Sequence, residues 1–210
     1  DMSTYYVIPA RKNSKGFKHK NRVLFQKAAD ELNELRHNVI ITSDDDYIKA
    51  LNTNYGFKFL KRSDHLSLDN IDIKSVLIDV VDKYSLKKDD DIVLLYLTYP
   101  ERTSSDISKI LEFYKTHNGL SLLCREELTQ HPYLCFYERN NNKGERIVKH
   151  KLYRRQDYPI SFFGSHFIAI VKVAHLNKVD KNLFSSETIF YDLKSNKLDV
   201  DYESDYLNIK

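Results

Sequence analysis

At 210 residues the chain is one medium-sized domain, long enough to bury about two thirds of its unfolded surface without a disulfide to hold it. Thirty-three Lys and Arg against thirty Asp and Glu leave a net charge of +3. Basic character is therefore local, which argues against a general nucleic-acid coat protein. No apolar run approaches the ~18 residues that span a bilayer, and the start lacks a signal-like apolar segment. Cys124 and Cys135 sit in apolar surroundings with no C-x-x-C or Cys/His spacing. The expectation is a cytoplasmic protein with reduced thiols, bound to neither membrane nor nucleic acid.

The first predicted element is a strand over Tyr5 to Ala10, apolar and ending at Pro9. A loop follows that carries Arg11, Lys12, Lys15, Lys18, Lys20 and Arg22, with Ser14, Gly16, His19 and Asn21 among them. Such a loop at the carboxyl end of a strand suits a polyanion such as a triphosphate, offering backbone N–H groups as well as cations. A solvated basic loop, or a patch for nucleic acid or anionic lipid, fits the same composition. It is not a P-loop, because G-x-x-x-x-G-K-[ST] is absent.

Leu24 to Leu35 places Ala28, Leu32 and Leu35 on one helical face, and Asn38 to Thr42 is a compact strand. Asp44, Asp45 and Asp46 crowd the start of a helix running to about Asn54, where carboxylates cap free N–H groups. Gly56 ends it, Phe57 to Leu60 returns as a strand, and a loop from Arg62 to Asn70 leads to a helix over Ile71 to Tyr84. Asp91 to Leu97 reads as a strand covered on both faces, and Ser105 to His117 as the next helix. This alternation predicts an open, mainly parallel α/β sheet whose ligands bind beyond the carboxyl ends of its strands, where Arg11, Thr42, Arg62 and Thr98 would lie.

The regime changes after Leu120 to Leu123. From Pro132 to Pro159, two strand-like runs (YLCFYE and RIVKHKLY) flank the turn cluster Asn140 to Gly144, which suggests a hairpin leaving the sheet. Phe162 to Val173 reads as a long strand rejoining the core. Near the end, Asp199 and Asp201 stand at i and i+2, on one face of an extended segment, where both can aim at one hard cation.

The stretch IPARKNSKG with Lys20 and Asn21 resembles the signature loop of the sugar-acid cytidylyltransferases, the family of the CMP-N-acetylneuraminate synthetases. Four later stretches fall in the same order: Arg62 with Asp69, LTYPER, RRQDYP, and Asp199-Val-Asp201 followed by Asp205. The resemblance implies a three-layer, Rossmann-like nucleotide-diphospho-sugar transferase fold as a single domain over 1–210, with a protruding dimerisation segment at about 132–159. It implies a Mg²⁺-dependent nucleotidyltransferase that joins CMP from CTP to a 2-keto sugar acid and releases pyrophosphate, working as a homodimer.

Residue by residue, the resemblance makes Arg11 and Lys20 catalytic cations on the phosphates. Arg11, Ser14, Lys15, Lys20, Asn21, Arg62 and Asp69 bind the nucleotide, Arg102, Arg155 and Gln156 the acid sugar, and Asp199 and Asp201 the Mg²⁺. The residues alone leave other roles open: Arg62 could pair with Asp64, and Asp69 could cap the helix at Ile71. The chain also departs from the family. Tyr96 replaces a Gln, Ser165-His166 an Asn-Gly, Ala169 a Tyr, Leu134 stands near a Lys position, and Ile73 stands where the family has a base-contacting hydroxyl. A nucleotide-binding or regulatory protein with altered or lost sugar turnover is the second expectation.

Overall fold

The computed structural model describes residues 2–209. Seven strands form one sheet: β1 (Thr4–Pro9), β2 (Val39–Ser43), β3 (Lys58–Lys61), β4 (Asp91–Leu94), β5 (Ser121–Glu127), β8 (Phe162–Lys172) and β9 (Thr188–Asp192). Their order is β3-β2-β1-β4-β8-β5-β9. All neighbours run parallel except β8, which is antiparallel to both β4 and β5.

The period-2 geometry of the strands sorts the core into two faces. Tyr6 and Ile8 of β1 pack with Leu24, Phe25 and Ala29 of α1 (Lys20–Leu32) and with Ile107 and Ile110 of α4 (Ser104–Thr116). Val7 points the other way, toward Leu77 and Val80 of α3 (Ile73–Tyr84). Helices on both faces of a mainly parallel sheet make the expected three layers. A short α2 (Asp46–Leu51) follows β2, and α5 (Glu203–Leu207) closes the described chain. No described helix is long and apolar enough to cross a membrane.

Capping sets the helix starts. Asp45 caps α2 through the Tyr47 N–H, as the acidic run predicts, and Asp72 caps α3 through the Ser75 N–H. Thr103 and Asp106 form a capping box on α4. Helix α1 opens four residues before the apolar periodicity does, at Lys20, directly after His19 in a left-handed conformation (φ 55°).

The hairpin is present but shorter than the sequence suggests: β6 (Phe136–Arg139) pairs with β7 (Lys143–Arg146), and every residue of both is exposed. Pro132 starts a 3-10 turn, so the first run becomes strand only at Phe136. The second run leaves strand conformation after Arg146; His150 Nδ1 accepts from the Leu152 N–H at 3.1 Å, a local bond that competes with a ladder. Strand β9 and helix α5 were not expected from the sequence.

Candidate functional site

The cationic loop leaves β1 and is anchored at both ends. Ala10 N–H donates to Thr42 O at 2.9 Å, and the Asn21 side chain donates to Arg11 O at 2.9 Å. The Ser14 hydroxyl donates to Phe17 O, and Phe17 is buried against the Tyr206 ring, with centroids 5.7 Å apart. Gly16 is needed twice over. Its φ is +82°, and a Cβ there would lie 2.8 Å from both Asp201 O and the Tyr202 ring. Only glycine lets the loop lie this close to the Asp201 segment.

Two openings flank the loop, with volumes of about 220 and 360 Å³. They share Arg11, Ser14, Lys20 and Asp69 and so form one cleft. Lys20 and Asn21 stand in the first turn of α1, where the helix dipole favours an anion. Arg22 is spent elsewhere: it chelates Asp45 at 2.7 and 3.0 Å. Of the predicted nucleotide loop, Arg11, Ser14, Lys15, Lys20 and Asn21 all line the cleft.

Asp69 faces this loop. Arg11 Nη1 donates to its carboxylate at 2.6 Å, and Lys15 Nζ lies 3.7 Å away. Asp72, not Asp69, caps α3, which settles the helix-cap alternative. Arg62 does not pair with Asp64. It is buried, and its guanidinium donates to Thr42 O at 2.9 Å and Thr42 Oγ1 at 3.2 Å. Burial pushes Arg62 down to about 10, with Asp44 opposing that fall and Arg11 adding to it. Arg62 forms the polar floor of a slot whose apolar lining includes Leu66, Leu68, Ile71, Ile73 and Val76.

Asp199 and Asp201 close the other side. Val200 between them is fully buried, and its N–H donates to Thr98 O at 2.8 Å, so the two carboxylates share the outward face. Lys20 Nζ stands 3.9 Å from Asp201. Burial pushes the Asp199 carboxyl up and neighbouring Asp201 adds to the rise, against hydrogen bonds from Thr98 and Tyr99 and the charge of Lys20. Two like charges held together in this way fit one hard cation that keeps several waters. Asp205 Oδ2 is turned to the backbone, accepting the Asp201 and Tyr202 N–H groups at 3.0 and 2.9 Å. Among the described residues no group of three His, Cys, Asp or Glu side chains gathers to hold a metal.

The residues expected to bind sugar are not gathered here. Arg102 is buried away from the cleft, donating to Phe167 O at 3.0 Å and Tyr96 O at 2.8 Å; it ties the wall after β4 to β8. Arg155 and Gln156 lie in an exposed turn of the projecting segment. There Arg155 borders a separate cavity of about 270 Å³ with Leu128, His131 and Tyr158. Tyr96 lines the cleft in its departure from the family pattern, with its ring stacked on His166. Tyr99 was not singled out from the sequence, yet burial pushes its phenol up to about 12 and the nearby Asp199 charge adds to the rise; its place within LTYPER was the available signal.

No family model matches the chain. It is 27% identical over 224 residues to the N-acylneuraminate cytidylyltransferase of Streptococcus agalactiae serotype III, an alignment covering 99% of this chain and 52% of the relative. The chain thus spans about half the length of the curated relatives of this kind. It is 25% identical over 212 residues to post-translational flagellin modification protein B of Campylobacter coli, covering 95% of this chain and 90% of that one. Among solved structures, CMP:2-keto-3-deoxy-manno-octonic acid synthetase complexed with CTP superposes with a TM-score of 0.66 at 14% identity, over 96% of this chain and 94% of the other. The fold is that of the Rossmann-like nucleotidyltransferases, and along nearly its full length the chain is similar in sequence to N-acylneuraminate cytidylyltransferases.

Proposed function

We propose that the chain is a cytidylyltransferase domain that joins CMP from CTP to a 2-keto sugar acid and releases pyrophosphate. One observation carries the reading: a single cleft at the carboxyl edge of the sheet is lined by Arg11, Lys20, Asn21 and Asp201, with Lys20 Nζ 3.9 Å from the Asp201 carboxylate. The sequence similarity to N-acylneuraminate cytidylyltransferases supports it.

In this reading the triphosphate lies along the loop, held by Arg11, Lys15 and Lys20 and by the first turn of α1. Asn21 keeps Arg11 in place through its carbonyl. The nucleoside occupies the slot over Arg62 and Ile73. The anomeric hydroxyl of the acceptor attacks the α-phosphorus in line; an O–P bond forms, the α–β bridge breaks, and the hydroxyl proton leaves to solvent. Mg²⁺ is expected at Asp199 and Asp201, where it would neutralise charge on the phosphates and acidify the attacking hydroxyl. Lys20 and Arg11 stabilise the charge that develops on the departing pyrophosphate.

The projecting segment is assigned to a second copy of the chain. Leu134, Phe136 and Tyr153 are 45, 66 and 93% exposed, and an isolated two-stranded ribbon is marginal in water. A two-fold interface would cover these groups and bring Arg155 or Gln156 to the partner's sugar site.

Incubation with CTP, Mg²⁺ and a panel of eight- and nine-carbon 2-keto sugar acids tests the proposal through pyrophosphate release. Turnover of one acid is expected. No release from any, with a working synthetase alongside, would overturn it. A nucleotide-binding protein without sugar turnover is the second reading, favoured by the Tyr96–His166 stack in the cleft wall. Calorimetry showing CTP binding without turnover would select it.

A further inference from the structure

The segment that carries Asp201 continues into α5 and lies against the cationic loop. It is tied at both ends, by Val200 N–H to Thr98 O at 2.8 Å and by Ile209, which packs on the core. Two aromatic rings make the contact between them. The Tyr206 ring meets Phe17 at a tilt of 55°, with centroids 5.7 Å apart. The Tyr202 ring covers Gly16 so closely that a Cβ there would lie 2.8 and 2.9 Å from its Cδ1 and Cε1. Asp205 accepts the Asp201 and Tyr202 N–H groups, so the turn that presents both rings also sets the backbone at Asp201.

On the loop side, Phe17 is the one buried side chain between Arg11 and Lys20; Lys12, Asn13, Lys15, Gly16 and Lys18 are all exposed. A loop of like charges with so few buried contacts has little local stability of its own. Its shape before a ligand arrives therefore leans on this anchor. Phe17 passes the constraint on through its carbonyl, which accepts the Ser14 hydroxyl and, at 3.3 Å, the Lys20 N–H. Ser14 and Lys20 both line the cleft. Fixing the Phe17 ring thus fixes two residues that face the triphosphate opening.

We infer that Tyr206 and Tyr202 are positioning residues that latch the loop in its binding shape in the absence of nucleotide and keep it in register with Asp201. Tyr206 acts wholly through Phe17 and touches no part of the cleft lining except through it. The inference rests on the CTP site proposed above. Without the latch the loop holds its competent shape for only a fraction of the time, and the apparent Kd for CTP rises by the inverse of that fraction.

The test compares wild type, Tyr206→Ala and Tyr206→Phe by hydrogen exchange without ligand and by calorimetry with CTP and Mg²⁺. In Tyr206→Ala, exchange should quicken at residues 12–19 and 199–209 while the sheet keeps its protection, and the CTP Kd should rise by about threefold to tenfold. Tyr206→Phe keeps the ring and should return both readings to within about twofold of wild type. Should Tyr206→Ala fail to fold, Tyr202→Ala, at an exposed position, should quicken exchange in the same loop; unchanged exchange there overturns the inference. Faster exchange spread over the whole sheet, or a loosened loop with an unchanged Kd, also overturns it, because Tyr206 would then serve the fold alone. These outcomes leave CTP binding by the wild type standing. Wild-type protein that binds no CTP removes the proposed site and the inference together.

Discussion

Arg11 and Asp69, 58 positions apart, meet at 2.6 Å across the cleft, with Lys15 on the other oxygen of the same carboxylate at 3.7 Å. Asp69 thus occupies cations that a triphosphate would need. The pair is partly exposed, at 26 and 53% for the two side chains, so it contributes only about 0–1 kcal/mol to stability. Asp69→Asn should leave the melting temperature nearly unchanged and tighten CTP binding by about twofold to fivefold, the same free energy returned to the ligand. Weaker binding by calorimetry would instead show that Asp69 touches the nucleotide itself.

Asp201→Ala should abolish pyrophosphate release with the fold intact, since an exposed carboxylate at the sheet edge contributes to charge neutralisation rather than to the core. Lys20→Ala should weaken triphosphate binding as well as rate. Circular dichroism and a Mg²⁺ titration of activity check both; full activity of Asp201→Ala at saturating Mg²⁺ would remove the metal assignment.

Gly16→Ala forces a left-handed residue against Asp201 O and Tyr202, both 2.8 Å from the new methyl. A loss of about 1–3 kcal/mol is expected from the backbone alone. Activity should fall further than stability, because the loop must move off the segment that carries both carboxylates. Thermal unfolding and turnover, measured side by side, separate the two effects.

The Asp45 carboxyl would rise on burial, but the Arg22 guanidinium and the Tyr47 N–H outweigh that and hold it below the usual value of 3.8. A depressed acid stabilises the fold above its unfolded pKa, and that stability is lost as pH falls through the folded value. Arg22→Met leaves the carboxylate buried without its partner, at a cost of about 1–3 kcal/mol at pH 7. Urea unfolding should show this deficit shrinking as the pH falls below about 4, as Asp45 protonates first in the variant and, at lower pH, in the wild type, whose carboxyl Arg22 holds down.

A protein that sediments as a monomer at micromolar concentration would defeat the assignment of the projecting segment. If Arg155 serves the partner's site, inactive Asp201→Ala and inactive Arg155→Ala subunits should restore partial activity on exchange, because one hybrid site then carries both wild-type residues.

The strand and helix alternation as far as α4 was legible because each element carries its own periodicity and cap. Strand β9 was not: Thr188–Asp192 is half-buried along its length and shows no alternation. The cleft was legible where a short segment holds its chemistry, as in Arg11 to Asn21 or Asp199-Val-Asp201. It failed where distant residues decide. Nothing near Arg102 announces that Phe167 O and Tyr96 O will claim its guanidinium, nor does anything near Arg22 announce Asp45. Asp205 has the spacing of a ligand, yet the backbone turn into α5 claims one of its carboxylate oxygens.

Strand β8 inserts between β4 and β5, antiparallel to both. During synthesis the ribosome therefore releases β1 to β4 as a finished parallel block whose inner edge, Asp91–Leu94, is apolar and has nothing to pair with. Strand β5 emerges next, but in the sheet it lies beyond β8, and both of its partners, β8 and β9, are still to come. For the time taken to translate the projecting segment, the nascent chain presents the inner edge of β4 and both edges of β5, all suited to pairing with a neighbouring chain. Slowing translation across residues 130–160 should lower the soluble yield, whereas a chaperone that shields an exposed strand edge should restore it.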